Sequence, residues 1–201
     1  NRPDVPIIGV VTRLTHQKGI HLIKHGIYKA LERGCQVVLL GSAPDPSVQR
    51  EFEDMANALK QNHFNDAALH LYFDEPLSHL IYAGSDMLLV PSMFEPCGLS
   101  QLIAMRYGAV PVVRRTGGLA DTVYDYDHGH AKAEWEGMSP NGFQFDGTEA
   151  HDIDYALNRG IDLFYNDREA FSALQANCMS CDFSWNRPAL DYIELYHAAR
   201  K

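Results

Sequence analysis

The chain has 201 residues, 46% of them hydrophobic and 21% charged, an ordinary globular composition with ample length to bury a core. Its 17 Lys and Arg against 26 Asp and Glu leave a formal net charge of −9, a field that repels a polyanionic duplex and argues against a nucleic-acid partner. No apolar run reaches the length of a bilayer span, and four cysteines are too few for a disulfide scaffold, so a reducing compartment is the default.

The chain opens Asn1-Arg2-Pro3-Asp4-Val5-Pro6, with no Met and no signal or transit segment, and reads as a piece of something longer. Pro6–Thr12 is a buried strand. Ile20, Ile23, Ile27 and Leu31 recur at helical spacing up to a stop at Arg33-Gly34. Gln36–Leu40 is a second strand, and Asp45 or Ser47 caps a helix with the stripe Val48, Phe52, Met55 and Leu59. Strands at Leu69–Phe73, Met87–Val90 and Ala109–Val113 alternate with helices at Glu75–Ala83 and Gly98–Tyr107. This β-α rhythm predicts an α/β fold, a Rossmann-like doubly wound parallel sheet in one domain. Beyond Val113 the polar segment Asp121–Glu136 reads as a loop and Asn141–Phe145 as a short strand or turn. Helices at Ile153–Tyr165, Glu169–Met179 and Pro188–Ala199 close the chain.

Ligands of such sheets bind beyond the carboxyl ends of the strands, and four clusters fall there. After the first strand, Arg13 and Lys18 flank a helix start, either as an anion site for a phosphate or pyrophosphate or as two solvated loop charges. Gly41-Ser42-Ala43 follows the second strand, as a close backbone approach to a ligand or a plain turn. Phe94-Glu95-Pro96-Cys97-Gly98-Leu99-Ser100-Gln101 follows the fourth strand, where a carboxylate beside backbone donors suits sugar hydroxyls and phosphate, or else caps a helix. After the fifth strand, Arg114-Arg115-Thr116-Gly117-Gly118 repeats the logic of the first cluster, or forms a surface turn with two solvated arginines.

The strings TRLTHQKG, LLGSAPD, SHLIYAGSDMLLVPSMFEPCGLSQLIAMRYG and PVVRRTGGLADTV resemble the C-terminal half of starch and glycogen synthases, retaining glycosyltransferases of the two-domain GT-B type. The resemblance covers essentially the whole chain. The Ala43–Pro46 loop and the ending WNRPALDYIELYHAARK are most similar to class III soluble starch synthases of plants and green algae. It implies that Arg13 and Lys18 hold the diphosphate of ADP-glucose, that Glu95 contacts the glucose hydroxyls, and that the backbone of Cys97, Gly98 and Leu99 surrounds the sugar. Gly41 falls at the nucleotide and Ser100 at the phosphates. Phe73 stands where glycogen synthases tend to have a Tyr beside adenine, and Thr116 and Gly117 line the phosphate side. The family's N-terminal domain, with its KTGGL lysine loop, acceptor groove and histidine, has no counterpart in this chain. The resemblance thus implies a donor-binding piece that does not transfer glucose to an α-glucan by itself, working in a plastid with no metal cofactor. Many retaining GT-B enzymes carry Glu-x7-Glu; Ile103 stands at the second position, a loss that starch and glycogen synthases share. Two alternatives from other classes are a non-catalytic nucleotide-sugar or glucan binding module and a nucleotide-sugar epimerase.

Among the remaining signals, Cys178 and Cys181 form a CxxC that reads as core or helix-end thiols rather than a zinc or redox pair. His128 and His130 look like a metal clip but lie in a polar segment that reads as exposed loop. His79 is either beside the nucleotide or packed on its helix. Trp185, Tyr192 and Tyr196 form an aromatic stripe that reads as packing of a terminal helix, one that in the family crosses toward the other domain.

Overall fold

Runs of Ile, Val and Leu with no polar face, such as MLLV at 87–90, belong in the middle of a sheet that is covered on both sides. The computed structural model, which describes residues 2–200 apart from the side chain of Arg187, puts them there. Strands β1 (Ile7–Val11), β2 (Gln36–Leu40), β3 (Ala67–His70), β4 (Met87–Val90), β5 (Val110–Arg114) and β6 (Phe143–Phe145) form a sheet in the order β3-β2-β1-β4-β5-β6. Every pairing is parallel. The fold is the doubly wound, Rossmann-like sheet that the β-α rhythm predicts. The chain steps outward from β1 to β3, returns to β4 beside β1, and steps outward the other way. Loops leaving β1 and β4 therefore part at a crevice between them.

Helices α1 (Ile20–Glu32), α2 (Pro46–Asn62) and α7 (Ala150–Asn166) cover one face, where Val10, Ile23, Ile27, Phe52, Leu89 and Leu157 pack. Helices α3 (Glu75–Gly84), α4 (Ser100–Arg106) and α5 (Gly118–Thr122) cover the other, over Tyr82, Leu88, Val90, Ala104 and Leu119. Asp45 caps α2 by accepting from the Ser47 amide at 2.8 Å, and Asp74 caps α3 by accepting from Leu77 at 2.9 Å.

Most boundaries shift by one to three residues, and two departures from the sequence reading have a structural cause. β3 ends at His70, whose carbonyl takes the Gly41 amide at 3.0 Å, so Leu71–Phe73 leave the sheet and lead into the Asp74 cap. The segment Asp121–Glu136 is not a plain loop: it holds the end of α5 and a further helix, α6 (His130–Trp135). Asp125 organises it. This buried carboxylate accepts from Arg159 Nη1 at 2.8 Å and Nη2 at 2.9 Å, and from the amides of Gln144, Asp127 and His128. Arg159 also reaches Asp127 at 2.6 Å and lies 4.3 Å above the Tyr155 ring. Asp125, Asp127 and His128 bring their ligating atoms within 4.8 Å of one another, but the guanidinium already engages both carboxylates, and His128 bonds the Tyr155 hydroxyl at 2.7 Å. That arrangement is an arginine-centred clamp, and His130 opens α6 instead of joining it.

Burial pushes the Asp125 carboxyl up, but the Arg159 hydrogen bonds, the Gln144 amide and the Arg159 charge outweigh it and hold the group below its ordinary value. A carboxyl with a depressed folded value contributes stability that is present above its unfolded pKa of about 3.9 and is lost as the pH falls through the folded value. Arg159→Leu is expected to cost about 3–5 kcal/mol at pH 7, the range for removing one partner of a buried pair. In urea titrations, the gap from the native protein should narrow below about pH 4. A gap independent of pH would contradict the clamp.

The thiols of Cys178 and Cys181, at the end of α8 (Arg168–Ser180), are free. Cys178 donates to the Asn141 carbonyl at 3.1 Å, and Asn141 Nδ2 donates to the Cys181 sulfur at 3.4 Å. Burial pushes both thiols up, which keeps them protonated and poor nucleophiles. The terminal helix α9 (Asn186–Ala199) departs from the packing reading. Trp185 meets Tyr192 at 5.9 Å and Tyr192 meets Tyr196 at 6.4 Å between ring centroids, yet all three stay exposed and none belongs to the core clusters of the described residues.

Candidate functional site

The candidate residues converge because the four loops are tied together by their backbones. Leu14 N donates to Ser42 O at 2.9 Å, which seats the β1 loop beside the β2 loop. Met93 N donates to Gln17 O at 2.8 Å and Gln17 Nε2 to Phe94 O at 3.2 Å, which closes the β1 loop onto the β4 loop. Gly118 N donates to Glu95 O at 2.9 Å, which brings in the β5 loop. The glycine pair is what permits this approach. A Cβ on Gly118 would lie 2.0 Å from Cys97 O, and one on Gly117, at φ +47°, would lie 2.1 Å from Glu95 O.

At the centre, Lys18 Nζ pairs with Glu95 Oε2. Both side chains are largely buried, and the Ser92 hydroxyl, fully buried, donates to the same Oε2 at 3.1 Å. The sequence reading assigns Lys18 and Glu95 to opposite ends of a donor; the structure joins them across 77 positions of sequence. Arg13 is exposed and has no ion-pair partner among the described residues, so its charge faces the crevice unspent.

Beside this centre lies a cleft of about 350 Å³ whose wall includes Arg13, Gly41, Phe73 and Ser100, with Tyr72 and Tyr82 as further rings. Phe73 is 85% exposed, a ring held out at the mouth by its place beyond the end of β3. Burial pushes the Tyr82 phenol up, partly offset by its hydrogen bond with Ser100. Cys97 is an exposed free thiol, Leu99 is 67% exposed, and Gly98, at φ +76°, packs on the buried amide of Gln101. Gln101 Nε2 donates to Cys97 O, Gly98 O and Thr122 Oγ1, at 3.1, 2.9 and 3.1 Å. Thr116 and Gly117 precede α5 on the β5 loop, Gly117 against the Glu95 carbonyl, and neither lines the cleft.

Some candidates are not brought here. Arg114 donates to the carbonyls of Gly147 and Met93, and Arg115 binds Asp146 through two hydrogen bonds, so neither faces an anion site. His79 bonds the Tyr107 hydroxyl at 3.0 Å, away from the cleft wall. Sequence reasoning missed Tyr72 and Ser92, and included Gln101 in the β4 cluster without giving it a role. Tyr72 was signalled by its place next to Phe73, whereas Ser92 and Gln101 read as ordinary turn and helix residues. A larger hollow of about 1080 Å³ beyond β5 and β6 is lined by the Arg115–Asp146 pair, Lys132 and Tyr155 and does not include the Lys18–Glu95 centre.

The sequence matches the glycosyl transferases group 1 over residues 1–177. It is 63% identical over 198 residues to starch synthase 3, chloroplastic/amyloplastic, of Arabidopsis thaliana, covering 98% of this chain and 19% of that protein. It is 48% identical over 195 residues to the glycogen synthase of Protochlamydia amoebophila (strain UWE25), covering 96% of this chain and 37% of that one. Among solved structures, the catalytic domain of starch synthase IV from Arabidopsis thaliana, bound to ADP and acarbose, matches with a TM-score of 0.90 at 46% identity, over 97% of this chain and 38% of that one. The chain thus spans less than two fifths of the length of each of these relatives. No described helix is long and apolar enough to cross a membrane.

Proposed function

The chain belongs to the group 1 glycosyl transferases, and from that premise we propose that it is the donor-binding half of an ADP-glucose:α-1,4-glucan glucosyltransferase. In this reading the intact enzyme is a starch synthase of plastids, as its chloroplastic/amyloplastic relatives are named. The acceptor groove then lies in an N-terminal domain outside this chain. One observation chiefly supports the reading: the Lys18–Glu95 pair joins the β1 and β4 loops at the crevice, and Arg13 of the same β1 loop lines an aromatic-mouthed cleft.

The chemistry follows from those groups. Phe73 offers a ring on which adenine stacks, without the phenolic hydrogen bond a Tyr would add. Arg13 and Lys18 carry the positive charge that a departing diphosphate needs, so the leaving group is neutralised without a metal ion. Ser100 and the β5 loop at Thr116 and Gly117 flank the phosphates. Glu95 accepts hydrogen bonds from the glucose hydroxyls, framed by the backbone of Cys97, Gly98 and Leu99, and stabilises positive charge as the anomeric bond breaks. Retention follows if the leaving phosphate, on the same face as the incoming acceptor hydroxyl, takes its proton. Because Lys18 rests on Glu95, an arriving diphosphate draws the ammonium away from the carboxylate, and the two ends of the donor are sensed through one side chain.

Calorimetric titration with ADP, ADP-glucose and UDP-glucose tests this. Micromolar to millimolar binding of both adenine compounds is expected, with UDP-glucose weaker. Glu95→Gln should leave ADP affinity nearly intact and weaken ADP-glucose, whereas equal losses would reduce Glu95 to a structural cap. Absence of ADP and ADP-glucose binding in the protein together with its N-terminal domain would overturn the reading.

A further inference from the structure

The two oxygens of Glu95 are not equivalent. Oε2 is taken twice, by the Lys18 ammonium and by the Ser92 hydroxyl. Oε1 accepts no hydrogen bond among the described residues. Nor is it one of the sealed, partnerless side-chain atoms among the described residues, which are Gln101 Oε1 and Arg159 Nε, so it keeps some accessible surface. A carboxylate pinned at one oxygen and open at the other presents a directed acceptor, whereas an unpinned one rotates about its terminal torsion.

We propose that Ser92 is a positioning residue for the reaction: it pins Glu95 Oε2 so that Oε1 stays aimed at the sugar of the donor. This rests on the reading of Glu95 as the sugar-binding carboxylate. The need for Ser92 comes from Lys18. Once a diphosphate attracts the ammonium, the lysine no longer fixes the carboxylate, and the Ser92 hydroxyl is the tether that remains. Ser92 sits two residues past β4 and three before Glu95 with no exposed surface, so its hydroxyl is shielded from bulk water and bonds to the carboxylate.

The test uses the full-length enzyme and three substitutions, Ser92→Ala, Ser92→Cys and Ser92→Thr, each checked for its thermal midpoint. Cysteine keeps the shape of serine but donates weakly, so it separates the hydrogen bond from packing. In Ser92→Cys and Ser92→Ala, ADP affinity should stay within about twofold of native, while ADP-glucose affinity and kcat each fall about five- to tenfold. Ser92→Thr, which keeps the hydroxyl, should restore most of both. In a Glu95→Ala background neither Ser92→Cys nor Ser92→Ala should lower ADP-glucose affinity further, because the group they position is gone. A Ser92→Cys enzyme indistinguishable from native, or equal losses for ADP and ADP-glucose, would overturn the proposal. Native enzyme that binds no ADP-glucose would instead overturn the donor-site reading beneath it.

Discussion

Replacing Lys18 with alanine is expected to weaken ADP binding by about 1.5–3 kcal/mol, the range for a hydrogen bond to a charged group. The same change should destabilise the protein, because it strands a carboxylate that is only 8% exposed. Removing one partner of a buried pair costs about 3–5 kcal/mol, and the partial exposure of the Lys18 side chain, 18%, places the expectation near the lower bound. The two effects separate in a double variant. Lys18→Ala with Glu95→Gln should recover most of the lost stability, since no uncompensated charge remains, while ADP affinity stays low. Measuring urea midpoints and ADP titrations on all four proteins closes the cycle. Native ADP affinity in Lys18→Ala would remove the phosphate site from the crevice, and unchanged stability would show that water screens Glu95.

The second large effect is steric. Gly118→Ala drives a methyl group to 2.0 Å from the Cys97 carbonyl oxygen and 2.5 Å from its Cα, both backbone atoms that no rotamer change can move aside. The β4 and β5 loops must separate, at a cost of about 1–3 kcal/mol for overpacking. That separation breaks the Gly118 N to Glu95 O hydrogen bond, so ADP-glucose affinity should drop more than tenfold. Gly84→Ala is the control: nothing lies within 4 Å of its Cβ, and its stability should match or slightly exceed native. Native donor binding in Gly118→Ala would mean that the loops yield freely and that the glycine pair has no part in shaping the site.

The sheet was legible because its signal is local. MLLV at 87–90 and QVVLL at 36–40 declare strands of the buried sheet within their own four and five residues, and Asp45 announces the cap of α2. β3 was placed too far along because Leu71, Tyr72 and Phe73 continue an apolar run, while its end is decided by β2, which stops at Leu40 opposite His70. The segment from Asp121 to Glu136 looked unstructured because its order comes from Arg159, a residue on a helix much later in the chain. The candidate site divides in the same way. Its residue types were readable at the strand ends, but the Lys18–Glu95 contact was not, since no spacing rule links positions so distant. Arg114 and Arg115 misled for the same reason: their carbonyl and carboxylate partners lie elsewhere in sequence.

The backbone ties among the loops also decide where this scaffold can change. Hydrogen bonds join residues 14 to 42, 17 to 93 and 95 to 118, so an alteration at any one of these loops is transmitted to the others and must be matched there. Tyr72 and Phe73 stand outside that weave: beyond the strand, the Tyr72 hydroxyl bonds, among the described residues, only to the neighbouring His70 ring, and Phe73 projects into solvent. On the proposed donor reading, divergence in the choice of base therefore meets least resistance at these two rings, while the residues at the crevice floor drift as a block.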